Sequence, residues 1–405
     1  MRILHTSDWH LGQHFMGKTR QAEHQAFLGW LIEQVEAHQV DAVLVAGDIF
    51  DTGTPPSYAR EMYSDFVVKM HRTGCRLVLL AGNHDSVAML RENSSLLAEL
   101  SAQVIPCVAA NLQNQLLVLP DREGQAAAIL CAIPFIRARD ITTGLTDASA
   151  VERRQDLQSS IQTHYKDLHD LALAKRDELG LPLPIIATGH LTTLGAQVSE
   201  SERDIYVGSL DAFSSNAFPP ADYIALGHIH RPQKVGGAEH IRYCGSPIAL
   251  SFDEAGRQKE VLMVDLGANG LVQIQPLYVP CTQTLVSLRG SLTELPVAIK
   301  GASQLSTEQA PVWLEIMVTT DDYLSDLQAR VQTLAEGFPV EILRVRRQRE
   351  TQEPSLPAQR ETLEELSVSD VFAKRLDLET LEPALQERLT GMYQQVVAEL
   401  SEDQV

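Results

Sequence analysis

The sequence predicts an α/β layered fold, with a mostly parallel sheet at least in its first half. Three observations predict it. Strand-like and helix-like segments alternate from the start through Leu100. The strand-like runs there are apolar without interruption, as strands covered on both faces must be. The chain has 405 residues, 44% of them hydrophobic, which suffices for one large core and further domains.

The elements follow in order. Arg2 to Thr6 reads as a strand, and Gln21 to His38 as a helix with Phe27, Leu31 and Val35 at helical spacing. Val40 to Ala46 is a buried strand, Ser57 to His71 a helix, Arg76 to Ala81 a strand and Ser86 to Leu100 a helix. Shorter strands are expected at Gln103 to Val108, Gln115 to Val118 and Ala128 to Ile133. A polar helix from Ala150 to Glu178 precedes strands at Pro184 to Thr188 and Tyr223 to Leu226. The pattern changes near Pro276. Strands at Thr284 to Leu288, Val312 to Val318 and Val340 to Val345, with a helix at Asp321 to Glu336, predict a small α+β domain. The division expected is therefore 1–275, 276–347 and 348–405. The last part opens on a polar linker with Pro354 and Pro357 and carries helices at Ser367 to Leu376 and Thr380 to Ser401. On the second helix Leu381, Leu385, Leu389, Met392, Val396 and Leu400 form an apolar stripe.

Charge excludes one class of function. Lys and Arg total 33 against 53 Asp and Glu, a net charge of −20, so no overall basic surface grips nucleic acid. A polyanionic partner would need a local positive site, metal ions or a second subunit. No apolar run reaches the roughly 18 residues that span a bilayer. A strand-like segment begins at once, so no signal peptide is expected. Cys75, Cys107, Cys131, Cys244 and Cys281 are odd in number and lack a C-x-x-C spacing, so they read as reduced apolar residues. A soluble, cytoplasmic protein is expected.

The chemistry sits at the ends of the expected strands, where open α/β sheets place their sites. Asp8-Trp9-His10 follows the first, Gly47-Asp48-Ile49-Phe50-Asp51 the second and Gly82-Asn83-His84-Asp85 the third. Gly189-His190 and Gly227-His228-Ile229-His230 end two later ones. Together they offer Asp8, His10, Asp48, Asn83, His190, His228 and His230. Mixed imidazole, carboxylate and amide ligands suit Mn, Fe or Zn better than Mg or Ca. Seven ligands exceed the need of one ion and fit two, about 3.5–4 Å apart, bridged by a carboxylate. Two divalent cations outweigh two aspartates, so such a site attracts a phosphodiester although the molecule is anionic. Each motif alone is commonplace, a turn or a capping carboxylate; their co-occurrence in order carries the reading. His5 is expected as a hydrogen-bonded core residue, and His14, His24, His38, His71, His164, His169 and His240 as surface or helix residues. Asp51 and Asp85 are expected to orient neighbours rather than bind metal.

These motifs resemble the calcineurin-like metallophosphoesterase superfamily: D-x-H, G-D-x-x-D, G-N-H-[DE], G-H and G-H-x-H. The fuller strings His5-Thr-Ser-Asp-Trp-His-Leu-Gly12, Ala46-Gly-Asp-Ile-Phe-Asp51, Leu226-Gly-His-Ile-His-Arg-Pro-Gln233 and Tyr243-Cys-Gly-Ser-Pro247 are similar to those of the Mre-type DNA-repair nucleases. The resemblance covers residues 1 to 275 strongly, and the small domain and tail agree in order and size. It implies a layered metallophosphoesterase fold, two mixed sheets flanked by helices, with an α+β capping domain and a helical tail. It implies Asp8, His10, Asp48 and His230 on one metal and Asp48 (bridging), Asn83, His190 and His228 on the other, with His84 as transition-state stabiliser or proton donor to the leaving oxygen. A water on the metals would be the nucleophile. It further implies Mn2+, ATP-dependent 3′ to 5′ exonuclease action on duplex DNA, endonuclease action on single strands and hairpins, and processing of palindromes and blocked ends in recombination, replication and repair. The ATP would be bound by an SMC-like ATPase partner, SbcC, since no G-x-x-x-x-G-K-[ST] loop occurs here. The tail would dock on that partner, against the alternative of a helical lid on its own core. The helices Ser57 to His71 and Ser86 to Leu100 lie where the family forms its homodimer, within a heterotetramer. Arg344, Arg346, Arg347 and Arg349 read as a strand end neutralised by nearby acids, or as DNA phosphate contacts. Two other functions stay open: a phosphomonoesterase, although Gly47 to Gly53 lacks the arginine of the protein-phosphatase string, and a non-catalytic adaptor.

Overall fold

Uninterrupted apolar strands need cover on both faces, and the topology supplies it. The computed structural model describes residues 1–141, 150–199, 201–202, 212–307, 310–319 and 326–348. Strand β1 (Arg2–Thr6) is followed by a small hairpin of β2 (His14–Phe15) and β3 (Lys18–Thr19), helix α1 (Gln21–Ala37), β4 (Ala42–Ala46), α2 (Ser57–Arg72) and β5 (Arg76–Leu80). Two short helices, α3 (Val87–Glu92) and α4 (Ser94–Glu99), lead to β6 (Ala102–Ile105). Strands β1, β4, β5 and β6 pair in parallel in that order.

The chain then builds a second sheet. Its strands are β7 (Leu116–Pro120), β8 (Ala126–Cys131), β9 (Ile185–His190), β10 (Tyr223–Gly227), β11 (Gln233–Val235) and β12 (Ala238–Tyr243), with α5 (Ala138–Ile141) and the long α6 (Ala150–Leu179) between β8 and β9. Spatially the order is β11-β12-β10-β9-β8-β7. Strands β8, β9, β10 and β12 run parallel, and the two edge strands are antiparallel. The chain returns to the first sheet through β13 (Glu260–Gly267), antiparallel to β1, and the edge strand β14 (Gly270–Tyr278). Both six-stranded sheets are thus mixed and stacked. Ile3, Leu44, Val78 and Leu80 of one pack on Leu130, Ile186 and Tyr223 of the other. Phe27, Leu31, Phe66 and Met70 of α1 and α2 cover the outer face of the first sheet. Leu157, Ile161, Tyr165 and Leu168 of α6 cover that of the second.

Several expectations are corrected. The helix expected over 86–100 is broken at Asn93, whose backbone leaves the helical region at φ −113°, ψ 15°. Asn offers its backbone alternatives to helix, which accounts for the break. Four strands, β11 to β14, occupy the stretch between Leu226 and Thr284 where the sequence suggests none. His24 lies on α1, as expected for a helix residue, but is fully buried, because it shares the inward stripe with Phe27, Leu28 and Leu31. His164 and His169 lie on α6, as expected for helix residues, but are also buried. His5 does sit in the core, its Nδ1 2.9 Å from the Tyr223 hydroxyl. All five cysteines are free; Cys281 is exposed.

After β14 come β15 (Leu285–Gly290), α7 (Leu295–Ser303), β16 (Val312–Thr319), α8 (Leu327–Ala335) and β17 (Val340–Gln348). The three strands pair in parallel around a core of their own, with Leu295, Ile299, Leu314, Ile316 and Val331. Leu285 and Trp313 pack on Phe15 and Phe252, which seats this small sheet beside the first domain's loops. The expected tail helices, most of the linker and Arg349 lie outside the described residues. No helix among the described residues is long and apolar enough to cross a membrane.

Candidate metal centre

The ends of β1, β4 and β5 in one sheet and of β9 and β10 in the other bring five loops to one place. Backbone bonds hold the first two loops side by side: Asp8 N–H donates to the Gly47 carbonyl and His10 N–H to that of Asp48, both at 3.0 Å. The chain turns so sharply here that Asp8, His10, Asp48 and His228 have positive φ, four of seven such non-glycine residues among those described. A conformation of this kind is costly for these side chains and concentrates at functional sites. Two glycines are required by space. A Cβ on Gly47 would lie 2.1 Å from His190 Nδ1, and one on Gly82 2.1 Å from Asp48 Oδ1.

All seven residues singled out by the sequence meet in this cluster. Ligand atoms of Asp8, His10 and His230 lie within 4.8 Å of one another, as do those of Asp48, His190 and His228. Asn83 joins the second group, its Oδ1 2.9 Å from His190 Nε2 and 3.2 Å from His228 Nδ1. Asp48 stands between the groups: Oδ2 is 3.3 Å from His190 Nε2 and 3.6 Å from His10 Nε2. His84 lies within the same reach of His10 and Asp48. Its N–H donates to Asp48 Oδ1 and its Nδ1 to the Asp51 carbonyl, at 2.9 and 2.7 Å. The cavity over the cluster, about 320 Å³, is lined by His10, Asp51, His84, His230, Phe252 and Arg344. Arg344 also pairs with Glu315 at 2.5 Å, as a strand end neutralised by an acid would.

The donor set suits divalent cations. His10 Nε2 is buried without a hydrogen-bond partner, and its 3.6 Å separation from Asp48 is too long for one. Asp8 and Asp48 are both buried. Burial opposes charge on His10 and His190, yet the surrounding carboxylates outweigh it; both are raised, His190 to about 9 through Asp48. Burial likewise opposes the Asp48 carboxylate, but His190, His10 and His84 hold it well below the usual range.

Asp51 and Asp85 fall beside these groups. Asp51 Oδ1 is 3.2 Å from His10 Nδ1. Asp85 accepts the N–H groups of Ile49, Phe50 and Gly82 and so ties the second loop to the third. Burial and the Asp48 charge push its carboxyl up to about 6. Sequence reasoning missed Ser7, whose hydroxyl donates to Asp8 Oδ2, and the group Ser201, Glu202, Glu254 and Lys259 around His230. No spacing rule singles these out, since they come from three separate loops.

Comparison with known proteins gives the family. Residues 1–232, more than half the chain, match the family model described as calcineurin-like phosphoesterase. SbcD, a subunit of the nuclease SbcCD of Escherichia coli K12, is 52% identical over 394 residues, covering 97% of each chain. The chain belongs to the SbcD nuclease family of calcineurin-like phosphoesterases. Other members include the SbcD proteins of Rhodobacter capsulatus, 33% identical over 84% of this chain and 86% of its own, and of Bacillus subtilis, 33% identical over 65% and 66%. Residues 281–380 match a second model, described as the type 5 capsule protein repressor C-terminal domain. As a member of this family the chain is a metal-dependent phosphodiester hydrolase.

Proposed function

We propose that the chain is the nuclease subunit of an SbcCD-type complex, cleaving DNA at the centre described above, with SbcC as its ATP-binding partner. The observation that carries the site assignment is the Asp48 carboxylate standing between two groups of buried donors. In this reading Asp8, His10, Asp48 and His230 hold one cation, Asp48, Asn83, His190 and His228 the other, and Mn2+ is the working metal. Cations held there would supply Lewis acidity toward a phosphodiester and make a nearby water more acidic.

The chain's own residues do the rest. The strand-end loops fix the donors before substrate arrives, so little reorganisation is needed. His84, held through Nδ1 on the Asp51 carbonyl, directs Nε2 toward the cavity's reacting phosphate and, as imidazolium, gives a proton to the leaving oxygen. Residues 276–347 form a cap beside the DNA path, and the tail docks on SbcC. The assembly is a homodimer of this subunit within a heterotetramer, acting as a 3′ to 5′ exonuclease and hairpin endonuclease on chromosomal DNA in the cytoplasm, at the nucleoid.

Assays of the purified chain with Mn2+, with and without SbcC and ATP, on linear duplex, hairpin DNA and p-nitrophenyl phosphate test the reading. Cleavage of both DNAs, with the duplex digested from 3′ ends only when ATP and SbcC are present, is expected. Phosphate release from the monoester with DNA left intact would make it a phosphomonoesterase instead. No turnover in any arm would make it an adaptor.

A further inference from the structure

We propose that Glu254 is a positioning residue for His230, acting through the Ser201 hydroxyl and itself held by Lys259. The proposal rests on the reading of His230 as a metal ligand.

Glu254 follows Phe252 in a short turn that none of the sequence motifs includes, and it is 1% exposed. A carboxylate so deep must be fully satisfied to persist. It is. Oε1 accepts from the hydroxyls of Ser201 at 2.5 Å and Ser199 at 3.0 Å. Oε2 accepts from Lys259 Nζ at 2.5 Å and the Leu250 N–H at 3.2 Å, with the Ser246 oxygen 3.2 Å away. Lys259, also buried, donates a second bond to the His230 carbonyl at 3.2 Å. The pair therefore grips His230 from two sides.

The direction of the bonds sets the imidazole. Ser201 has one proton, and it goes to Glu254. Its oxygen, 2.7 Å from His230 Nδ1, must then accept from that nitrogen. His230 carries its proton on Nδ1 and presents a bare Nε2. Ligating histidines use a partner on the other ring nitrogen in this way, to fix the tautomer and strengthen the donor. A neutral amide at 254 could turn its NH2 toward Ser201 and reverse the relay.

Manganese binding to the full-length chain tests this, counting free Mn2+ by electron paramagnetic resonance during titration. Glu254→Gln alone leaves Lys259 buried without its anion and can unfold the turn, so the double variant Glu254→Gln/Lys259→Met removes both charges together. Its metal-free melting temperature monitors the fold independently. We expect the double variant to bind one of two Mn2+ about 10- to 100-fold more weakly, with the other unchanged. A buried pair that is only structural would lower the metal-free melting temperature and leave both affinities at wild-type values, and that result overturns the proposal. His230→Ala separates the two readings. If it loses one Mn2+ while the double variant loses none, only the role of Glu254 fails. If His230→Ala keeps both ions at full affinity, the ligand assignment beneath it fails.

Discussion

A histidine that binds a cation must offer one bare nitrogen, and its other nitrogen decides which. His190 gives its Nδ1 proton to the Ala46 carbonyl at 2.9 Å, and His10 faces Asp51 through Nδ1, leaving Nε2 of each toward Asp48. His84 is arranged likewise, yet its role is assigned to proton transfer. His84→Gln should therefore keep both metals by elemental analysis while DNA cleavage falls by about 10² or more. A lost metal would make His84 a ligand; an unchanged rate would remove it from the chemistry. The raised histidines add a pH prediction. His190, raised to about 9 in the metal-free centre, carries a proton at neutral pH that a cation must displace. Binding should release protons at pH 7, and affinity should fall as pH falls, steeply below about pH 6 where further imidazoles protonate. Calorimetry of Mn2+ binding in buffers of different ionisation enthalpy measures the release, and zero release would contradict imidazole ligation. The seven candidate ligands were legible because each ends or follows a strand and several follow a glycine. Glu254 was not, because its partners Ser201, His230 and Lys259 are neighbours only after folding.

Elements show the same division. The parallel strands β1, β4 and β5 announce themselves as apolar runs, and the helices between them by their stripes. Strand β13 has a similar run, Val261 to Val264, and was legible in principle. Its neighbour β14 was not: it is an edge strand, largely solvent-facing, and holds Pro276, which an edge tolerates and a sequence reader takes for a break. The change of pattern near Pro276 therefore falls inside a strand. The small sheet of β15, β16 and β17 has its own core, and Trp313, 7% exposed, joins it to Phe15 and Phe252. Trp313→Ala should cost about 3–5 kcal/mol. Hydrogen exchange in β15 to β17 should quicken while the metal content stays at two. Unchanged exchange would mean that this contact does not seat the sheet.

A chain of net charge −20 brings its seven candidate ligands together at one seam between two sheets. Folding around that seam also buries histidines that take no part in it. His5 and His24 are lowered by burial to about 3, whereas the unfolded chain titrates them near 6.5. Between those values the unfolded chain binds protons that the folded one refuses, so this part of the stability is present above pH 6.5 and is lost as pH falls toward 3. His24→Gln keeps a donor for the Trp9 carbonyl and should move the acid-unfolding midpoint, followed by circular dichroism, to lower pH; an unmoved midpoint would take His24 out of the acid limb. In the proposed reading, five distant loops form one two-cation centre. Anomalous diffraction from Mn2+-soaked crystals checks this arrangement. Two peaks flanking the Asp48 carboxylate, one beside Asp8, His10 and His230 and one beside Asn83, His190 and His228, are the result expected. A single peak, or peaks away from Asp48, would contradict it.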